Sequence, residues 1–319
     1  MHAAVVRRYG EPPRHETFQD PVASEGEQLV RVSAAALSPL VKSIAAGKHY
    51  SSKGVLPLVP GVDGVGRLAD GSRVYFAFPR FPYGSMAEKT VVASGLWAPV
   101  PDQVDDVTAA AIANPGMSSW AALRERAHLQ PGESVLVNGA TGTAGRLAIQ
   151  IARHMGARRV VVTGRNPEVL KQLGALGADA VISLEQPEDA LAARYEEEFS
   201  THGVDVVLDY LWGAPAEKLL RAIRVAAHRR PQLRVRFVQI GSIAGETLPF
   251  PASALRSSQL ELVGSGIGSV SNERLVQVVG ELLSAVVPAG LSVQAEAVPL
   301  SSVSEVWEGA HSDRVVFTM

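Results

Sequence analysis

The sequence predicts an α/β protein, with a doubly wound parallel sheet in the middle of the chain and a mostly β segment on either side of it. Three observations carry this expectation. Between about residues 114 and 287, six apolar, β-branched runs (SVLVNGA, RRVVVTG, DAVISL, GVDVVLDY, LRVRFVQIG and QLELVGSG) alternate with segments that are mostly long enough for a helix. Runs that are apolar throughout suit strands buried on both faces, and strand–helix alternation implies right-handed crossovers. Residues 1 to about 113 instead hold HAAVV, QLVRVSAAAL, SRVYFAF and EKTVV between Pro- and Gly-rich turns, the texture of short strands. From about 288 that texture returns, with LSVQAEAVPL, a short helix around SEVWEGA, and RVVFTM. The chain is therefore expected to come back and complete its first domain, giving domains of 1–113 with 288–319 and of 114–287.

Length and charge narrow the function. At about 150 residues per domain, 319 residues also suggest two domains. Hydrophobic residues make up 46%, and Lys+Arg 30 against Asp+Glu 32 leaves a net charge of -2. That balance argues against nucleic acid as the main partner, which needs a strongly positive surface, and against disorder. Cysteine is absent, so disulfides, thiolate zinc sites and cysteine nucleophiles are excluded. No apolar run approaches the roughly 18 residues of a membrane span. The start MHAAVVRRYG places two arginines after a very short apolar stretch, unlike a secretory signal. A soluble cytoplasmic protein with a small-molecule partner is expected.

The sharpest motif lies in SVLVNGATGTAGRLAIQIARHMGARRVVVTG. A strand ending at Asn138 leads into a turn with Gly139, Ala140, Thr141, Gly142, Thr143, Ala144 and Gly145. A helix then runs to about Met155, stopped by Gly156, with Ala144, Ala148, Ile151, Ala152 and Met155 on one face. Ala140-x-Gly142-x-x-Gly145 is the A-x-G-x-x-G form of the dinucleotide fingerprint. A small residue makes the tight turn, Gly142 lets a pyrophosphate approach, and Gly145 lets helix and strand pack closely. Free amides and the helix dipole then receive the phosphates. The next strand ends in Thr163, Gly164, Arg165 and Asn166, where an NAD site would carry Asp or Glu for the ribose hydroxyls. An arginine with no acid beside it fits a 2′-phosphate, so NADPH is favoured over NADH. Asn166 also reads as the cap of a helix starting at Pro167.

With these segments in place, the sequence resembles the medium-chain dehydrogenase/reductase superfamily, specifically its zinc-free, NADPH:quinone oxidoreductase-like branch. The resemblance covers almost the whole chain: LPLVPGVDGVG, GSMAEKTVV, VTAAAIANPGMSSWAAL, NGATGTAGRLAIQIARHMGA, LGADAVISL and GVDVVLDYLWG follow in the family's order. It implies a GroES-like, mostly β catalytic domain from both chain ends, a Rossmann cofactor domain between, and an active site in the cleft. It further implies cofactor contacts at Ser118, at Gly241, Ser242 and Ile243 after the fifth strand, and at Gly264, Ser265 and Gly266 after the sixth. A homodimer joined along the sixth-strand edge is also implied.

Zinc-dependent relatives carry Cys and His where this chain has Ser38 and Val62; Asp63 alone cannot supply the three protein ligands a catalytic zinc needs. No metal is expected. In quinone oxidoreductase relatives the segment matching LSPLVKSIAAGKHY carries Asn, Asp and Tyr near the nicotinamide. Here Ser38 and Val41 replace the first two, and His49 or Tyr50 takes the Tyr place. Tyr50, His49, Ser38 and Lys42 are therefore the candidate catalytic residues. The stretch RAIRVAAHRRPQLRVRF carries Arg221, Arg224, Arg229, Arg230, Arg234 and Arg236 and reads as a solvated helix end, with an anion or RNA contact as the sharper alternative. Glu196, Glu197 and Glu198 read as a solvated face.

The function these signals imply is zinc-independent hydride transfer from NADPH to a quinone or an α,β-unsaturated carbonyl. The alternative is an NADPH-binding protein with little turnover, in a sensor, structural or RNA-binding role. A short-chain dehydrogenase is excluded, because its glycine turn would lie near residue 10 and none of Tyr9, Tyr50, Tyr75, Tyr83, Tyr195 or Tyr210 has Lys four residues on.

Overall fold

The computed structural model describes residues 1–48, 52, 54–309, 311 and 313–319. The first part of the chain forms β1 (His2–Val5), β2 (Arg14–Thr17), β3 (Glu27–Ala36), α1 (Pro39–Ala45), β4 (Asp63–Arg67), β5 (Arg73–Ala77), β6 (Lys89–Ala93), β7 (Trp97–Pro99) and α2 (Asp106–Ala121). The middle part forms β8 (Ser134–Asn138), α3 (Thr143–His154), β9 (Arg159–Gly164), α4 (Pro167–Leu170), β10 (Ala180–Ser183), α5 (Glu188–Glu197), β11 (Val206–Asp209), α6 (Gly213–Arg229), β12 (Arg234–Gln239), α7 (Ala252–Arg256) and β13 (Gln259–Gly264). The last part adds α8 (Asn272–Ala285), β14 (Ala295–Pro299), α9 (Val303–Val306) and β15 (Arg314–Thr318).

Two compact units result, Met1–Asn114 with Ser271–Met319, and Pro115–Val270. The first is β-rich. Its main sheet runs β14–β15–β3–β4–β5–β7, and β6 pairs with β3 as well. The ten-residue β3 serves three partners in turn: Glu27–Arg31 faces β6, Arg31–Ala34 faces β4 across a bulge, and Ala34–Ala36 faces β15. One apolar core gathers Val5, Val41, Met86, Trp307 and Phe317, and another gathers Val30, Val74 and Phe76. The turn between β4 and β5 is short and self-bonded, with the Arg67 guanidinium donating to Gly71 O at 3.0 Å and the Ser72 amide to Asp70 Oδ1 at 2.9 Å.

The sequence places the end of the cofactor segment at residue 287, yet α8 belongs to the first unit. Its apolar face, with Leu275, Val279 and Leu282 buried, packs on β7 and β5. An amphipathic helix goes where its apolar stripe finds cover, and that cover lies far away in sequence.

The second unit is a six-stranded, all-parallel sheet in the order β10–β9–β8–β11–β12–β13. Each of the six apolar runs forms one of these strands. The order reverses between β8 and β11, so right-handed crossovers put α3 and α4 on one face and α5 and α6 on the other. Leu136, Val161 and Phe237 from the sheet form a core with Leu191 and Tyr195 of α5 and Leu219, Leu220 and Ile223 of α6. At about 25 cal/mol per Å² of apolar surface removed from water, such side chains contribute about 1.5–3 kcal/mol each.

Two charged readings are corrected here. Glu198 is not on a solvated face: it is 1% exposed and takes the Arg159 guanidinium on both carboxylate oxygens at 3.0 Å. Arg236 is not part of a solvated helix end either. It is buried on β12, donating to Ala127 O at 2.7 Å and to Glu133 Oε1 at 2.5 Å. Arg229 pairs with Glu196, and Arg234 with Glu261 at 2.5 Å. Strand geometry and paired acids therefore break the basic stretch up.

Candidate functional site

In a parallel sheet all carboxyl ends share one edge, and ligands bind beside the strand-order reversal. That edge of the second unit is built around the turn after β8. Gly139 holds φ +94°, a conformation open to glycine. At Gly145 an added Cβ would lie 2.5 Å from Ala140 Cα, so only glycine lets α3 start this close to the turn. Gly142 is different: nothing lies within 4 Å of where its Cβ would be, which leaves room for a ligand to approach the backbone.

The start of α3 suits an anion. Helices α1, α4 and α8 are capped by the side chains of Ser38, Asn166 and Ser271, whereas Gly142 at the cap of α3 supplies none. Among the described residues, none accepts from the amides of Thr143, Ala144 or Gly145. Three outward amides on a helix dipole, beside a glycine with free space, fit a pyrophosphate.

Beneath the turn runs a buried polar chain that the sequence reading missed. The Gly139 amide donates to Thr163 Oγ1 at 3.1 Å, which donates to Asn138 Oδ1 at 2.6 Å; Asn138 Nδ2 in turn donates to Asp209 Oδ1 at 2.8 Å. Asp209 also accepts from the amides of Leu211 at 3.0 Å and Trp212 at 3.1 Å. Burial pushes the Asp209 carboxyl up, against these donors, which favour its charged form. The signal was available: Asn138 and Asp209 are polar residues closing otherwise apolar runs, and both are fully buried. Thr163 lies in this chain rather than on the open edge, so it positions the turn.

The other expected contacts fall in three groups. At the end of β9, Gly164 packs under Thr141, whose Cγ2 occupies the space a Cβ would need. Arg165 beyond it is exposed, and Asn166 Oδ1 caps α4 by accepting from Glu168 and Val169 at 3.0 and 3.2 Å. Past β11, Ser118 Oγ donates to Pro115 O at 2.7 Å, leaving it to accept from the Tyr210 hydroxyl at 3.2 Å. Burial pushes the Tyr210 phenol up to about 12, so it stays a donor. Gly241 lies against Tyr210, 2.7 Å from its carbonyl oxygen to an added Cβ. Ile243 is 79% exposed, and Ser242 Oγ donates to Glu246 Oε1 at 2.9 Å. The third group, Gly264, Ser265 and Gly266, closes the edge strand β13; a recess of about 380 Å³ there is lined by Trp212, Gln239, Ser242, Glu246, Leu262 and Gly264.

Of the catalytic candidates, Tyr50 and His49 lie outside the described residues. Ser38 is buried and its Oγ accepts from the Val41 amide at 3.2 Å, which is a capping role. Lys42 lies half-buried on α1. Asp63 is 4% exposed and accepts from the Tyr75 hydroxyl at 3.2 Å; burial pushes its carboxyl up to about 6, while the charge of Arg314 holds it down. Among the described residues, no three His, Asp or Glu side chains gather to hold a metal ion. No helix among them is long and apolar enough to cross a membrane.

Comparisons with known proteins bear on the family of the chain. Residues 144–284 match the family model described as zinc-binding dehydrogenase. A probable NADPH-dependent quinone reductase of Emericella nidulans is 29% identical, over 99% of each chain. A quinone oxidoreductase of Pongo abelii is 30% identical over 66% of each. The solved quinone oxidoreductase of Thermus thermophilus, also determined with NADPH, superposes with a TM-score of 0.79 at 27% identity, covering 100% of both chains. The chain belongs to the medium-chain dehydrogenase/reductase superfamily, among its quinone-reductase-like members.

Proposed function

We propose that the protein is an NADPH-dependent oxidoreductase that reduces a quinone or an α,β-unsaturated carbonyl without a bound metal. The observation that carries this is the uncapped start of α3 beside Gly142, with Arg165 and no acid at the end of β9. The named activities of the similar quinone reductases support the same reading.

The chain's own residues bind and orient; the bound nicotinamide supplies the hydride. The amides of Thr143, Ala144 and Gly145 hold the pyrophosphate, and the buried Asn138–Thr163–Asp209 chain keeps the turn in place beneath it. Arg165 takes the 2′-phosphate as partner, which a ribose hydroxyl cannot match. A metal-free reading is supported by the donor set: Ser38 is occupied in capping α1, residue 62 is Val, and Asp63 is buried with Tyr75. Balance requires one hydride and one proton per acceptor. A quinone's reduced oxygens take that proton from water, whereas an enone carbon takes it from a placed donor, for which Tyr50 and His49 are the candidates. A homodimer formed along the exposed edge of β13 completes the proposed assembly.

The test is NADPH oxidation by the purified protein with a para-quinone and a conjugated enone in parallel, both in chelator. Turnover of either is expected, and the faster names the acceptor class. NADPH binding with no turnover of either would overturn the catalytic reading in favour of a binding role.

A further inference from the structure

We propose that Arg146 is a second guanidinium for the 2′-phosphate of NADPH, acting across from Arg165. The proposal rests on NADPH occupying the glycine turn, and it adds a specificity residue that the fingerprint does not contain.

Arg146 immediately follows Gly145, in the first turn and a half of α3. Helical side chains lean toward the helix N-terminus, and this one does: its Nε donates to Thr141 O, inside the turn, at 3.1 Å. The guanidinium is thereby held half-buried beside the turn instead of extending into water.

Two observations fix which side of the turn it faces. Thr141 itself packs over Gly164, the last residue of β9, so the carbonyl that anchors Arg146 sits at the β8–β9 corner and not toward β11. Arg153, seven residues further on, is on nearly the same face of the helix. Its guanidinium reaches Gly177 O at 2.7 Å and the Asp179 carboxylate, in the segment that enters β10. This face of α3 therefore looks toward β9 and β10, where Arg165 lies.

The charge at that corner is uncompensated. Arg153 is paired with Asp179 and Arg159 with Glu198, but the Nη nitrogens of Arg146 bond to none of the described residues, nor does Arg165. The acid near the end of β9, Glu168, is bound to Lys171 at 2.8 Å. Two guanidinium groups with donors to spare, neither bonded to a carboxylate among the described residues, suit a phosphate dianion and not a pair of ribose hydroxyls.

The experiment measures dissociation constants of NADPH, NADH, 2′,5′-ADP and 5′-AMP by calorimetry for wild type, Arg146→Gln, Arg146→Lys and Arg165→Gln. Arg146→Gln is expected to weaken NADPH and 2′,5′-ADP by about tenfold, equivalent to about 1.4 kcal/mol, and to leave NADH and 5′-AMP within about twofold. Arg146→Lys should recover part of the loss, which also guards against a folding defect in the Gln variant. Equal weakening of NADPH and NADH would place Arg146 on the pyrophosphate and overturn the proposal. So would unchanged NADPH binding in both Arg146 variants. A wild type that fails to prefer NADPH over NADH would instead sink the cofactor reading on which the proposal stands.

Discussion

Gly142 and Gly145 stand three residues apart in one motif, yet their surroundings assign them different duties. Gly145 is needed by the fold: a Cβ there meets the Ala140 backbone. Gly142 has φ −81°, which any residue tolerates, and open space in front of it. Gly145→Ala is therefore expected to lower the melting temperature by several degrees through a shift costing about 1–3 kcal/mol. Gly142→Ala should melt within about one degree of wild type but bind NADPH roughly tenfold more weakly, because its methyl takes the ligand's space. Thermal unfolding and calorimetric titration of both variants would check the contrast; equal melting temperatures would refute it. The glycines themselves were legible in the sequence, since only their residue type was needed. The Asn138–Thr163–Asp209 chain was not, because it joins residues 25 and 71 positions apart.

At the scale of elements, β4, β5 and β15 meet at a buried charge. Asp63 lies on β4, Tyr75 on β5 and Arg314 at the start of β15. Arg314 has its Nε and Nη2 buried without a hydrogen-bond partner among the described residues, and its charge acts on Asp63. Burial raises the Asp63 carboxyl from 3.8 to about 6. Between those values the folded chain holds a proton that the unfolded chain has lost, so stability should fall as pH rises through that window. Urea midpoints from pH 4 to 7 would show it, and Asp63→Asn should flatten the slope. That variant should also be less stable near pH 7 by about 3 kcal/mol, since it strands a buried guanidinium, and adding Arg314→Met should restore part of the loss. A slope undiminished in Asp63→Asn would assign the titration to another group, such as the buried Asp209, whose carboxyl is also pushed up. Elements were the most legible level. Runs that are apolar throughout matched β8 to β13, Gly156 ended α3 through its positive φ of +88°, and Asn166 capped α4. Glu198 and Arg236 were misread because their partners, Arg159 and Glu133, lie 39 and 103 residues away; a charge pattern along the chain cannot report such pairing.

For the whole molecule, the proposed cofactor site lies in the second unit, and ligand binding there should stabilise that unit by mass action. At a free NADPH concentration 100 times its Kd the gain is about 2.7 kcal/mol. Trp212, packed edge-on against Phe237 at 6.4 Å between ring centroids, offers a reporter partly buried against the sheet's core. In a variant with Trp97, Trp120 and Trp307 replaced by Phe, the urea midpoint of Trp212 emission should rise accordingly, and no rise at saturating NADPH would contradict the site. The placement of α8 was not readable from texture, because it depends on the apolar cover offered by β5 and β7.

The pairing of β3 with β15 sets an order of events during synthesis. Ala34–Ala36 waits for Val316–Thr318, so the sheet of the first unit stays open at that edge until residues 316–318 have been made. The second unit draws all of its strands from 115–270 and has no such wait. Domains fold as they emerge, and contacts of long sequence separation close late. The second unit can thus close before the first, in which the β15 edge of β3 waits longest.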